Sequence, residues 1–171
     1  YPANVISLIF SDVPGNDIGV VSSGPTCKDV TTVDDAKKVL LRYKVFQANE
    51  IENYELIETP KEDKYFKKAR NILALSNKTA LEAMEQKAKE LGYAPQICTS
   101  RLEGQAAEVG KMIAEKIHNA RRKDVLLYGG ETTVAIQGTG RGGRNLETGI
   151  SALQYLQDDE IILTIASDGR D

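Results

Sequence analysis

At 171 residues, with 41% hydrophobic and 27% charged side chains, the chain can bury one good core, or a core with a small appendage. A net charge of −3 gives no general attraction to nucleic acid or to anionic membranes, so any anion must be held by a local cluster of donors. The longest apolar runs, VISLIF and IILTIA, are strand-length and fall far short of the roughly 20 residues of a membrane span, and no signal peptide is recognisable.

In chain order, VISLIF (5–10) reads as a strand that empties into the turn chemistry of SDVPGND, and the loop continues through SSGPT to about Thr32. Residues 34–44 look helical, and 47–67 form a polar, Lys/Glu-rich stretch expected to be helical in parts, with Pro60 as a break. A domain boundary is placed there: 1–67 as the end of one α/β domain with its connecting segment, 68–171 as a second, truncated α/β domain. NILALS (71–76) is the next strand, and Asn77 is the expected cap of a helix carrying Leu81, Met84, Ala88 and Leu91, which Gly92 closes.

A short strand near QICTS (96–100) precedes a helix from about Gln105 to Arg122 with an inward stripe of Ala106, Val109, Ile113, Ile117 and Ala120. DVLLYGG (124–130) and TTVAIQ (132–137) read as two strands, 145–157 as a helix and EIILTIAS (160–167) as the last strand. Strands alternating with helices predict a layered α/β fold, a mostly parallel sheet flanked by helices, with ligands at the carboxyl ends of the strands. Cys27 and Cys98 form no CxxC and the chain has one histidine, His118, so the expectation is two reduced thiols in a cytoplasmic protein and no structural zinc. Tyr1 is not an initiator Met and the chain stops at SDGRD, so a piece of a longer protein is expected.

Four loops follow strands and could carry chemistry. In GTGRGGRN, Gly138, Gly140 and Gly143 fit the dinucleotide fingerprint G-x-G-x-x-G in its required place between a strand and a helix. Arg141 and Arg144 argue against NAD, whose pyrophosphate needs only backbone amides there. Arg144 stands at or just before the helix N-terminus, where the macrodipole disfavours a cation by up to about 1 kcal/mol unless an anion lies between them. A phosphate held by the two guanidinium groups, the loop amides and Asn145 would supply that anion; a plain glycine-rich turn with solvated arginines is the alternative.

In GGETT, Glu131 is a metal ligand, a partner for an arginine or a hairpin-tip charge, with Thr132 beside it. Asp12 in SDVPGND follows a strand as carboxylates that meet Mg2+ or a substrate hydroxyl do, or else makes an Asx-turn; SSGPT offers amides and hydroxyls to an anion. Asp168, one residue past the last strand and near Asp171, is the second strand-end aspartate. Two carboxylates with two arginines suit Mg-assisted phosphoryl transfer. GQAAEVGK lacks the Walker A spacing and reads as helix, and His118 reads as a surface residue.

SDVPGND with SSGPT, then RLEGQAAEVG, GGETTVAIQGTGRGGRNLE and SDGRD resemble, in this order, motifs of the type II glycerate kinases, whose C-terminal part is the MOFRL domain. The resemblance implies a two-domain α/β kinase that uses ATP and Mg2+ to phosphorylate D-glycerate, with the site in the cleft and this chain as a fragment inactive alone. It gives Asp12 a role at substrate or metal, Arg144 one on the transferred phosphoryl group, and Asp168 one at the nucleotide and metal end. Glu131, Thr132 and Arg141 would line the cleft, with Ser23, Gly24, Thr26, Gly140, Gly143, Asn145 and Asp171 as further nucleotide or substrate contacts. Asn16 stands where the family often has a second aspartate, with Asp17 next. No nucleic-acid or membrane partner is implied, and a homodimer is left open. The alternatives are an NAD(P)H-dependent hydroxypyruvate reductase and a non-catalytic anion-binding module.

Overall fold

A computed structural model describes residues 3–48, 54–167 and 169. The chain divides into two compact units, Tyr1–Ile9 with Ile18–Leu73 and Phe10–Asp17 with Ala74–Asp171. Strands β1 (Val5–Ser11) and β2 (Ala69–Ser76) form one two-stranded sheet, and β3 (Ala94–Leu102) and β4 (Asp124–Gly130) another.

In the first unit, α1 (Val33–Arg42) starts at a reciprocal cap: the Thr32 hydroxyl accepts from the Asp35 amide while the Asp35 carboxylate accepts from the Thr32 amide. Glu58 accepts from the Val33 amide at 3.0 Å, placing a second carboxylate at the positive end of the helix. This explains a difference from expectation. Among the described residues of the polar stretch 47–67, helix appears only in α2 (Val45–Ala48) and in a single 3-10 turn, Asp63–Tyr65, and residues 54–62 have no regular structure. Its polar groups bond outward instead of along a helix. Lys61 donates to the carbonyls of Asp29 and Thr31 at 3.0 and 2.5 Å and pairs with Asp29 and Glu58 at 3.4 and 3.1 Å. The Thr31 hydroxyl and amide, followed by Thr59 and the Lys61 charge, hold the Asp29 carboxyl well below its ordinary range, and the Val33 amide lowers Glu58 in the same way.

In the second unit, α3 (Asn77–Glu90) is capped by Ser76, whose hydroxyl accepts from the Thr79 amide, and not by Asn77. The Asn77 amide instead donates to the Ser100 carbonyl at 2.8 Å, tying the helix to β3. Of the predicted α3 stripe only Leu81 is buried; it rests against Gly129 of β4, where a Cβ would stand 2.9 Å from its Cδ1. β3 and β4 run parallel, from Ala94 opposite Asp124 to Leu102 opposite Gly130. α4 (Ala106–Ile117) buries Ala106, Val109, Gly110, Ile113 and Ala114, so the inward stripe begins as its spacing predicts, while the helix ends before Arg122. α5 (Arg144–Leu153) crosses it where both helices are small. Ala114 and Ala152 are fully buried, and a Cβ on Gly110 would run into the Thr148 carbonyl.

The parallel α/β plan is present, but the sheet is smaller than the sequence suggests. Of TTVAIQ only the start extends the ladder: Glu131 and Thr133 donate to the carbonyls of Leu102 and Gly104, both at 2.8 Å, and Gln105 bridges Thr133. EIILTIAS keeps its alternation, with Ile161, Leu163 and Ile165 outward at 84, 78 and 65% exposure, yet among the described residues it pairs with no strand. A β-branched, alternating sequence specifies an extended chain with two faces, whereas a ladder also needs a neighbouring backbone.

Candidate functional site

The carboxyl edge of β3 and β4 gathers most of the predicted residues that belong to the second unit. Gly130 ends β4 at φ +153, and a Cβ there would collide with the backbone of Leu102, so only glycine lets the two strand ends close on each other. The chain then turns out at Glu131, which is exposed, while Thr132 behind it is buried. The Glu131 carboxylate accepts a hydrogen bond from Nη1 of Arg144.

Arg144 is the first residue of α5, after Gly143, which provides no side-chain cap. A cation in that position opposes the helix dipole, and Glu131 supplies the counter-charge, a role the sequence alone would give to a phosphate. Of the three roles open to Glu131, partner for an arginine is the one realised. The crossing of α5 on α4 at Gly110 fixes where the helix begins and so where this ion pair sits. Thr148, one turn along, donates its hydroxyl to the Arg144 carbonyl at 2.8 Å and is buried.

The glycine loop behaves differently from its fingerprint. Neither Gly138 nor Gly140 has a positive φ, and a Cβ at either would meet nothing within 4 Å. The fold itself does not require glycine at these two positions, and Arg141, exposed in the same loop, forms no ion pair among the described residues. Asn145 follows Arg144 in the first turn of α5 and is half-buried.

SDVPGND is brought to the carboxyl end of β3 by a residue the sequence reading passed over. The guanidinium of Arg101, one residue from the end of β3, lies on Gly15: a Cβ there would stand 2.7 Å from Nη2 and 3.1 Å from Cζ. Gly15 has φ +86, so both its backbone and this approach call for glycine. Asp12 is exposed in the same loop, beside Ser11, which is 6% exposed with its hydroxyl unpartnered among the described residues. Asn16 adopts φ +56, and its buried Oδ1 also lacks a partner there. RLEGQAAEVG resembles a family motif, but an arginine near a strand end gives no clue to the loop that reaches it.

Ser23, Gly24 and Thr26 belong to the first unit. Ser22, Ser23 and Gly24 form a left-handed run at φ 50, 62 and 55, costly for two serines. The amides of Ser23 and Gly24 donate inward to the carbonyls of Val20 and Val21 at 3.0 and 2.9 Å. The Thr26 hydroxyl donates to Asn71 Oδ1 at 2.5 Å and accepts from Ser7 at 3.2 Å. The Ser23 and Gly24 amides and the Thr26 hydroxyl, among the groups this loop was expected to offer an anion, are thus engaged within the unit. Asp168 and Asp171 lie outside the described residues.

Among the described residues no three His, Cys, Asp or Glu side chains stand together as a metal cage, both cysteines are free, and no helix is long and apolar enough to cross a membrane. His118 is a structural tether, with Nδ1 2.7 Å from Glu160. A shallow depression of about 270 Å³ between α4 and α5, bordered by Glu108, Lys111 and Tyr155, is lined by none of the site residues.

Residues 124–171 match the MOFRL family and residues 1–55 a domain of unknown function (DUF4147). The chain is thus an α/β protein whose C-terminal part, from β4 onward, matches MOFRL. The chain is 37% identical to a glycerate 2-kinase of Pyrococcus horikoshii over 97% of its length and 41% of that protein's. It is 38% identical to a protein of Agrobacterium vitis provisionally named hydroxypyruvate reductase, over 98% of its own length and 40% of the relative's. A crystal structure of glycerate kinase from Thermotoga maritima superposes with a TM-score of 0.73 at 34% identity, over 94% of this chain and 40% of that one. The chain is similar to glycerate kinases over nearly its whole length and spans about 40% of the length of these relatives.

Proposed function

We propose that the protein carrying this chain transfers the γ-phosphoryl group of ATP to the 2-hydroxyl of D-glycerate, giving 2-phosphoglycerate and ADP. The observation that supports this most is the Arg144–Glu131 pair at the N-terminus of α5, next to the open glycine loop. A guanidinium held by a carboxylate is already oriented, so a phosphoryl group arriving at the helix start meets aligned charge without reorganisation. The same helix end carries the positive pole of the α5 dipole, which favours an anion.

In this reading Arg144 neutralises charge on the phosphoryl group in flight and Glu131 holds its fork in place. Arg141, the amides of Gly140 and Gly143, Thr132 and Asn145 receive the nucleotide phosphates. The side-chain-free surface at Gly138 and Gly140 and Arg141, which forms no ion pair among the described residues, fit such a polyanion. Asp12 orients the attacking hydroxyl and accepts its proton. Mg2+ bound with ATP usually needs only one or two protein carboxylates, a role for Asp12 and Asp168, and supplies charge neutralisation on the phosphates.

A coupled ADP-release assay with D-glycerate tests the proposal in the protein carrying the chain. Turnover is expected, and Arg144→Ala should lower kcat by at least about tenfold, equivalent to about 1.4 kcal/mol of transition-state stabilisation. A second reading, reduction of hydroxypyruvate by NAD(P)H, is favoured by the name of the Agrobacterium vitis relative. Oxidation of NAD(P)H on hydroxypyruvate with no ADP released from glycerate would establish it and remove the kinase.

A further inference from the structure

We infer that Arg101 binds the carboxylate of the acceptor substrate and sets the preference for an acid over a neutral polyol; the inference rests on the kinase reading above. A kinase for a hydroxy acid handles two anions, the phosphates and the substrate carboxylate, and needs cations for both. Arg144 is committed to Glu131. The guanidinium of Arg101 forms no ion pair or hydrogen bond among the described residues, and it is exposed at the same carboxyl edge of the β3–β4 sheet.

Its placement is specific. The face of the guanidinium is laid on the backbone at Gly15, which has no Cβ to hold it off. Contact through the face leaves the in-plane N–H groups directed past the loop, and those donors match a carboxylate two at a time. The loop it rests on is the one that carries Asp12, so a carboxylate on Arg101 would bring the adjacent hydroxyl of a 2-hydroxy acid toward the residue proposed to orient it. Two oxygens of that loop, Ser11 Oγ and Asn16 Oδ1, have no partner among the described residues, so no local bond competes for its remaining polar capacity.

The test compares D-glycerate with glyceramide, its neutral amide, in the protein carrying this chain. Arg101→Ala should raise KM for glycerate by at least about tenfold while KM for ATP stays within about twofold. The ratio of kcat/KM for glycerate to that for glyceramide should fall by the same factor. Arg101→Lys keeps the charge without the planar fork and should fall between. An unchanged KM for glycerate, or equal losses on glycerate and glyceramide, would overturn the inference.

A wild-type protein inert toward glycerate would defeat the kinase reading instead. Calorimetric titration of D-glycerate and glyceramide then decides about Arg101 separately. A preference for the acid that vanishes in Arg101→Ala upholds the carboxylate site, and equal affinities in the wild type refute it.

Discussion

β4 and the segment 160–167 are both runs of aliphatic and β-branched residues in the second unit, and their fates differ. β4 pairs with β3, receives Leu81 of α3 on Gly129 and buries Leu127 to 6% exposure. The segment 160–167 is held at its start by Glu160, which bonds His118 and the Gln157 amide, and by Thr164, which lies against Gly149, while Ile161, Leu163 and Ile165 face outward. The difference lies in the neighbour and not in the composition. Only where a ladder ends does the fold create an edge on which Arg101, Glu131 and Arg144 are placed by backbone geometry.

The comparison predicts a graded response to substitution. Leu127→Ala removes a buried side chain from the paired strand and should cost about 2–4 kcal/mol, read as a lower urea midpoint at constant slope. A cost under about 1 kcal/mol would mean that β4 is no better anchored than 160–167. Gly110→Val tests the helix crossing that sets the start of α5. The added carbon atoms would press on the Thr148 carbonyl and should destabilise by about 1–3 kcal/mol. It should also disturb the Arg144–Glu131 pair, visible as a changed NMR environment of the Glu131 carboxylate. A stable variant with that signal unmoved would show that the crossing does not position the site.

Much of this is legible in the sequence. The spacing of Ala106, Val109 and Ile113 gives the inward face of α4, since helical periodicity is a local property. Arg144 at a helix start is equally local, because a glycine-rich loop followed by an apolar periodic run marks the boundary. The pairing with Glu131 was one of three open choices. Choosing among them requires the chain direction after Gly130, which depends on the close contact with Leu102. Arg101 was not legible, since its significance comes from Gly15, remote in sequence and joined to it only by the fold. The inward amides of Ser23 and Gly24 were equally hidden, because a Ser/Gly-rich loop has the same composition whether its donors face a ligand or its own carbonyls.

The smallest expected effect is the one that tests the comparison from the other side. Leu163→Thr keeps β-propensity and replaces an outward, 78% exposed leucine, so the stability of the chain should change by no more than about 0.5 kcal/mol. The same segment carries an internal control in Ala166, half-buried on the opposite face, where a larger side chain should cost more. If Leu163→Thr instead cost more than about 1 kcal/mol in urea unfolding, that face would be buried in solution. The segment would then be a paired strand like β4, and the two regions would differ in nothing but the order in which the chain reaches them.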